Sequence, residues 1–130
     1  SLVIPVYQEG SHIRSSIGII EKILIENCIR HEFILIDDGS RDNSWAEIKQ
    51  LAQSKENVTS LRLSRNFGKE SALCAGLEYA KGDMVLVMDA DLQHPPEIIP
   101  EMVKAWREEG YDVVDGIKPQ RKENPIYKLC

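Results

Sequence analysis

Asp89 and Asp91 stand one residue apart at the end of the apolar run Val85-Leu86-Val87-Met88, with Gln93 two positions further on. Side chains two apart in extended chain point the same way, so both carboxylates can address one hard cation, with the Gln93 amide oxygen next in the row. Oxygen donors of this kind suit Mg²⁺ or Mn²⁺. Four consecutive apolar residues read as a strand buried on both faces, and open parallel sheets bind ligands beyond the carboxyl ends of such strands. The pair also has a plain reading, since two aspartates at this spacing are common on surfaces. Its place at a strand end favours the site.

A second acidic pair, Asp37-Asp38, follows the apolar Phe33-Ile34-Leu35-Ile36 and leads into Gly39-Ser40. Asp-Gly is ordinary turn chemistry and acids favour the start of a helix, yet two adjacent acids are more than a turn needs. Arg65 and Lys69, in Ser64-Arg65-Asn66-Phe67-Gly68-Lys69-Glu70-Ser71, read either as cations near an anion site or as solvated bases. That stretch is not a phosphate-binding loop, because Leu63 stands where its first glycine belongs and Glu70 follows the lysine. His31-Glu32 lacks the second histidine of a zinc-protease helix, and His12 and His31 are expected in solvent.

The elements that must position these groups alternate along the chain. Leu2–Val6 reads as a first strand, with Pro5 removing a ladder donor where the chain leaves the sheet. Ile13, Ile17, Ile20 and Leu24 mark one face of a first helix capped by Ser11. After the strand at Phe33, a second helix buries Trp45, Ile48, Leu51 and Ala52, with Ser44 and Glu47 spaced as a capping box. Val58–Leu63 alternates as a half-buried or edge strand. A third helix presents Leu73, Leu77 and Ala80 on one face and stops at Gly82. Pro95 and Pro96 open a fourth, with Ile98, Ile99, Met102, Val103 and Trp106 apolar and Gly110 as its stop. Asp112–Ile117 reads as a fifth strand and Lys118–Cys130 as a loop. Five strands alternating with four helices predict an α/β fold with a mostly parallel sheet.

With 130 residues, 42% hydrophobic, 28% charged and net charge −5, the chain is one globular domain with no basic stripe for nucleic acid. No apolar run approaches the ~20 residues of a membrane span, so the chain is expected to be soluble. It starts without methionine on core-type residues, and is expected to be a piece truncated at both ends. Cys28, Cys74 and Cys130 have no metal-like spacing and are expected as buried free thiols in a reducing compartment.

Four ordered stretches together give a family resemblance: Val3-Ile4-Pro5-Val6-Tyr7-Gln8-Glu9, Ile36-Asp37-Asp38-Gly39-Ser40-Arg41-Asp42, Leu63-Ser64-Arg65-Asn66-Phe67-Gly68-Lys69, and Met88-Asp89-Ala90-Asp91-Leu92-Gln93-His94-Pro95-Pro96-Glu97. The chain resembles the family 2 glycosyltransferases, within them the polyprenyl-phosphate sugar transferases that include dolichyl-phosphate mannose synthase. The resemblance implies a GT-A fold, a Rossmann-like sheet flanked by helices, over residues 1–130, with the C-terminal part missing. It implies a nucleotide-sugar pocket made by Pro5, Val6, Tyr7, Glu9, Asp37, Asp38, Asn66, Gly68, Lys69, Asp89, Ala90 and Asp91. Within it Asp38 would bond the base and Asp89 would face the ribose and metal. Asp89, Asp91 and Gln93 would hold Mg²⁺ or Mn²⁺, Asp89 and Asp91 being the catalytic pair. Lys118 and Arg121 would meet the diphosphate or the acceptor phosphate. Gln8 stands where Asn is usual, His94 where Asp is usual, and Lys118 where Arg is frequent, which loses a bidentate fork.

The activity so implied is metal-dependent, inverting transfer of a hexose from a UDP- or GDP-sugar to a polyprenyl phosphate. It would take place at the cytoplasmic face of a membrane, through membrane contacts outside this chain. A divalent ion offsets the charge that builds on a departing diphosphate. A phosphate acceptor is already anionic and needs no base, whereas a sugar hydroxyl would need one. Two alternatives stay open: a transferase acting on a saccharide hydroxyl, and a non-catalytic nucleotide-binding module. Haloacid-dehalogenase-like phosphatases also place Asp-x-Asp after a strand, but Leu92-Gln93-His94-Pro95-Pro96 lacks their small Thr/Val-Gly loop.

Overall fold

The computed structural model of the chain describes residues 1–112, 114–117 and 126–129. Strand β1 spans Leu2–Val6, β2 Phe33–Asp37, β3 Val58–Arg62 and β4 Leu86–Val87. They form one parallel sheet in the order β3-β2-β1-β4. Between them run helices α1 (Ile13–Glu26), α2 (Ser44–Ser54) and α3 (Lys69–Leu77), and α4 (Ile99–Glu109) follows β4.

The sheet is covered on both faces because its strands are apolar on both. Ile4, Val6, Phe33 and Leu35 pack with Ile13, Ile17 and Ile20 of α1, Ile48 of α2 and Ile99 of α4. Val3, Ile34 and Ile36 pack on the other face against Ala72 of α3. The chain steps outward from β1 to β3 and then returns to the far side of β1. Parallel crossovers are right-handed, so this reversal puts α3 on the face opposite α1 and α2. Gly76 lets α3 approach, since a Cβ there would lie 2.5 Å from Ile36 Cδ1 and 2.6 Å from Val3 Cγ1.

Several elements differ from the sequence expectation. Strand β4 pairs with β1 only at Leu2–Leu86 and Val3–Val87, and Val85 and Val87 are exposed (Val87 45%), so it is a short edge strand. Strand β5 (Val114–Ile117) does not extend the parallel sheet; it pairs antiparallel with β6 (Ile126–Leu129), inside a stretch expected to be loop. Helix α3 ends at Leu77, which is exposed, well before Gly82. Ser11 does not cap α1; the Glu9 carbonyl accepts from the N–H groups of His12 and Ile13 instead. The capping box at α2 is absent, because Glu47 reaches across to Arg14. His31 is mostly covered, its side chain 10% exposed, and packs edge-on against Phe33 with Nδ1 2.8 Å from the Ile29 carbonyl, where solvent was expected. Cys28 and Cys74 are free but exposed, and Cys130 lies outside the described residues.

The two helical glycines Gly18 and Gly76 should respond oppositely to one substitution. Gly18, on the exposed face of α1, has nothing within 4 Å of an added Cβ. Gly18→Ala should stabilise by roughly 0.5–1 kcal/mol. Gly76→Ala, pressed on Ile36 and Val3, should destabilise by about 1–3 kcal/mol. Urea unfolding of the two variants measures both. Equal stabilisation by both would mean that α3 is not seated tightly on the sheet.

Candidate functional site

The order β3-β2-β1-β4 places a topological switch between β1 and β4, where loops leave the sheet in opposite directions and open a crevice. Backbone direction shows how the crevice starts. Ser1 and Val3 accept hydrogen bonds from Leu86 and Met88, so alternate residues of β1 face β4. Pro5 is the next in that row, beyond the last bond to β4. Its missing N–H therefore forfeits no ladder bond, and no N–H is left unpaired where the strands part.

A cleft of about 270 Å³ occupies this point. Pro5, Val6, Tyr7 and Glu9 contribute one wall, Asp38 the floor beside β2, Asn66, Gly68 and Lys69 a second wall, and Asp89, Ala90 and Asp91 the third. A larger cavity of about 400 Å³ opens at the opposite ends of the strands, among Leu24, Ile29, Val103 and Trp106. Ligands of open parallel sheets sit beyond the carboxyl ends, so the smaller cleft is the candidate site.

All the residues expected in a nucleotide-sugar pocket line this cleft except Asp37. Asp37 is fully buried, with Oδ1 3.2 Å from the Ser40 N–H and Oδ2 3.5 Å from Arg62 Nε. It ties the turn after β2 to the edge strand β3 and does not reach the cleft. Gln93 also departs from expectation. Leu92 takes φ +56°, which breaks the extended alternation, so Gln93 does not continue the row and does not line the cleft. Its backbone N–H donates to Asp91 Oδ1 at 3.2 Å. Lys118 and Arg121 lie outside the described residues. His94 lines an apolar groove beside β4, and Arg65 stacks on Phe67 at 4.6 Å.

Asp38 is 3% exposed, and both of its oxygens accept backbone hydrogen bonds, from Phe67 at 2.9 Å and Gly68 at 3.1 Å. The left-handed φ of +71° at Gly39 brings the same turn against the backbone of Arg65 and Asn66, where a Cβ would collide. The Arg65–Gly68 loop is thus fixed to the end of β2, and it delivers Lys69 to Asp89, Nζ to Oδ1 2.5 Å.

The network that holds the outer rim joins residues far apart in the chain. Gln8, at φ +56°, accepts the N–H groups of Arg41 (2.9 Å) and Asp42 (3.1 Å) on Oε1, and its own N–H donates to Ser40 Oγ at 2.9 Å. The N–H of Glu9 donates to Ser44 Oγ and that of Gly10 to Asp42 Oδ2. The Gln8 side chain reaches two donors across the gap. An Asp-x-Ser pattern at 42–44 is the one local signal, since Ser44 donates to Asp42 from both N and Oγ.

Burial works against ionisation of Asp42, but the bonds from the Ser44 hydroxyl, the Ser44 N–H and the Gly10 N–H outweigh it and hold the carboxyl below its usual value. A lowered carboxylate stabilises the fold above its unfolded pKa, and that contribution is lost as pH falls through the folded value. Asp42→Ala should therefore flatten the acid limb of stability below about pH 4 relative to the wild type. Denaturant titrations between about pH 5 and pH 2.5 measure this. Superimposable slopes would show that Asp42 does not couple the two loops.

Asp89 and Asp91 supply hard oxygen donors, and among the described residues no three His, Cys, Asp or Glu side chains converge on one point. Two carboxylates of this kind fit a hard cation such as Mg²⁺ or Mn²⁺, whose remaining positions other oxygens would fill.

Comparison with solved structures identifies the fold class as GT-A. A mannosyltransferase, PcManGT, from Pyrobaculum calidifontis, in complex with GDP-Man and Mn²⁺, superposes with TM-score 0.68 at 22% identity, over 85% of this chain and 32% of that one. The model of glycosyl transferase family 2 matches residues 1–127, and the chain belongs to that family. It is 42% identical to an uncharacterized glycosyltransferase of Synechocystis sp., over 94% of this chain and 38% of that protein. It is 43% identical to the undecaprenyl-phosphate 4-deoxy-4-formamido-L-arabinose transferase of Proteus mirabilis, over 100% of this chain and 40% of that one. The chain thus spans well under half the length of these relatives. Among the described residues no helix is long and apolar enough to cross a membrane.

Proposed function

We propose that residues 1–130 form the nucleotide-sugar-binding domain of a metal-dependent, inverting glycosyltransferase that moves a hexose from a UDP- or GDP-sugar to a polyprenyl phosphate. The observation that carries this reading is the meeting of Asp89, Asp91 and Lys69 with Tyr7 and Asp38 in one cleft at the switch point. Relatives named as undecaprenyl-phosphate sugar transferases support the acceptor class, and GDP-Man in PcManGT and UDP-GlcNAc in Staphylococcus aureus TarS support the donor class.

The residues divide the work by their chemistry. Tyr7, 45% exposed at the mouth, offers a ring for a base to stack on. Asp38 keeps lone pairs beyond those used by the loop, so its carboxylate can still accept from a base N–H. Lys69 carries positive charge to where a diphosphate would lie. Asp89 faces the ribose and, with Asp91, would hold Mg²⁺ or Mn²⁺, which when bound lowers the cost of charge on the departing diphosphate. A phosphate acceptor brings its own negative charge to the anomeric carbon, so this side of the reaction needs no carboxylate base. Membrane contact at the cytoplasmic face would then come from the longer protein.

Full-length protein in detergent, given radiolabelled UDP- and GDP-sugars, should pass label to undecaprenyl phosphate and not to oligosaccharide. Asp91→Ala should lower kcat/KM by on the order of a hundredfold or more, as loss of several kcal/mol of charge stabilisation requires. Label recovered only in oligosaccharide would overturn the acceptor, and unchanged kcat/KM in a folded Asp91→Ala protein would overturn the ligand assignment.

A further inference from the structure

We propose that Lys69 is the resident counter-cation of Asp89 in the nucleotide-free protein, and that it must leave that carboxylate before Asp89 can serve a divalent ion. Metal loading would then be tied to arrival of a diphosphate. The inference rests on the nucleotide-sugar reading above and adds an order of assembly to it.

Three observations converge on Lys69. Its Nζ lies 2.5 Å from Asp89 Oδ1, on a different wall of the cleft. It is also the first residue of α3, whose N-terminus carries the positive end of the helix dipole. A lysine there has the wrong sign for the helix, so local structure does not account for it and its partner across the cleft does. Finally, the backbone immediately before it is pinned, because Asp38 accepts the N–H groups of Phe67 and Gly68. The lysine is therefore aimed by the fold, and only its side chain has to move.

The pair is also built to open. The Lys69 side chain is 56% exposed and that of Asp89 33%, and exposed ion pairs of this kind are weak. With Asp89 occupied by the ammonium, Asp91 is left as the carboxylate on that wall of the cleft that a metal ion could use. A diphosphate changes both sides of this balance. Its oxygens give Lys69 a charge-assisted partner, and they complete the oxygen shell that two carboxylates leave open. Lys69 thereby couples the affinities of ion and nucleotide, and such coupling is reciprocal.

The test is Mn²⁺ binding to nucleotide-free full-length protein, followed by the electron paramagnetic resonance signal of free Mn²⁺ on titration with MnCl₂ alone. Lys69→Met should tighten Mn²⁺ binding by about tenfold, a usual size for such coupling, and should shrink the gain in Mn²⁺ affinity that UDP or GDP confers. Lys69→Arg should behave like the wild type. Arg65→Met removes the same charge from the same loop, but from a side chain stacked on Phe67, and should change Mn²⁺ affinity by less than about twofold. Adding Asp89→Asn to Lys69→Met should erase the gain. If Lys69→Met does not fold, as judged by circular dichroism, Lys69→Gln makes the same contrast. Unchanged Mn²⁺ affinity on losing Lys69, or an equal gain in Arg65→Met, would overturn the proposal. Absence of any Mn²⁺-dependent nucleotide binding in the wild type would instead overturn the parent reading.

Discussion

The parting of β1 from β4 is the constraint on which the rest of the site depends. Their pairing stops at Val3–Val87, and Pro5 has no N–H to seek a partner beyond it. From that point the chain after β1 and the chain after β4 diverge around a shared hollow. A ladder continued by two residues would fill the hollow with backbone. The same fork sets the chemistry of the walls, because a strand end is where polar side chains can stand at the edge of an apolar layer without being buried in it.

Once the strands part, the loops must be held by something other than the sheet. Polar side chains hydrogen-bonded to backbone N–H groups of a neighbouring loop can do this, and they fix one arrangement where apolar contacts would tolerate several. Asp38 holds the Arg65–Gly68 loop, while Gln8, Ser40, Asp42 and Ser44 lock the turn after β1 to the turn after β2. Tyr7, Glu9 and Lys69 are thereby carried on backbone whose positions are set by these bonds. Such preorganisation lets charged groups act on a ligand without first being assembled.

The central elements were legible because their signals are local. Ile13, Ile17, Ile20 and Leu24 mark α1 by spacing alone, and all are buried. Phe33–Ile36 reads as a doubly buried strand, and β2 is one. The apolar run Val85–Met88 looks the same on paper, yet its pairing is short, because how many neighbours a strand has is decided by the whole sheet. Asp89 and Asp91 line the cleft, and their place after that run is what marks them in the sequence. Asp38 could be marked as a candidate, but not its bonds to Phe67 and Gly68, which come from a loop some thirty positions along the chain, 29 and 30 residues away. Asp37 and Asp38 are neighbours of one type, and only the alternation of the strand end separates the buried tie from the cleft-facing group.

The most direct measurement is the crystal structure of the full-length protein grown with Mn²⁺ and GDP or UDP, with anomalous data collected at the manganese edge. One anomalous peak is expected within coordinating distance of Asp89 and Asp91, with the diphosphate beside it and the base next to Tyr7. Lys69 should then have exchanged Asp89 for a phosphate oxygen. Nucleotide bound in the cavity at the opposite ends of the strands, or a manganese peak away from both carboxylates, would contradict it.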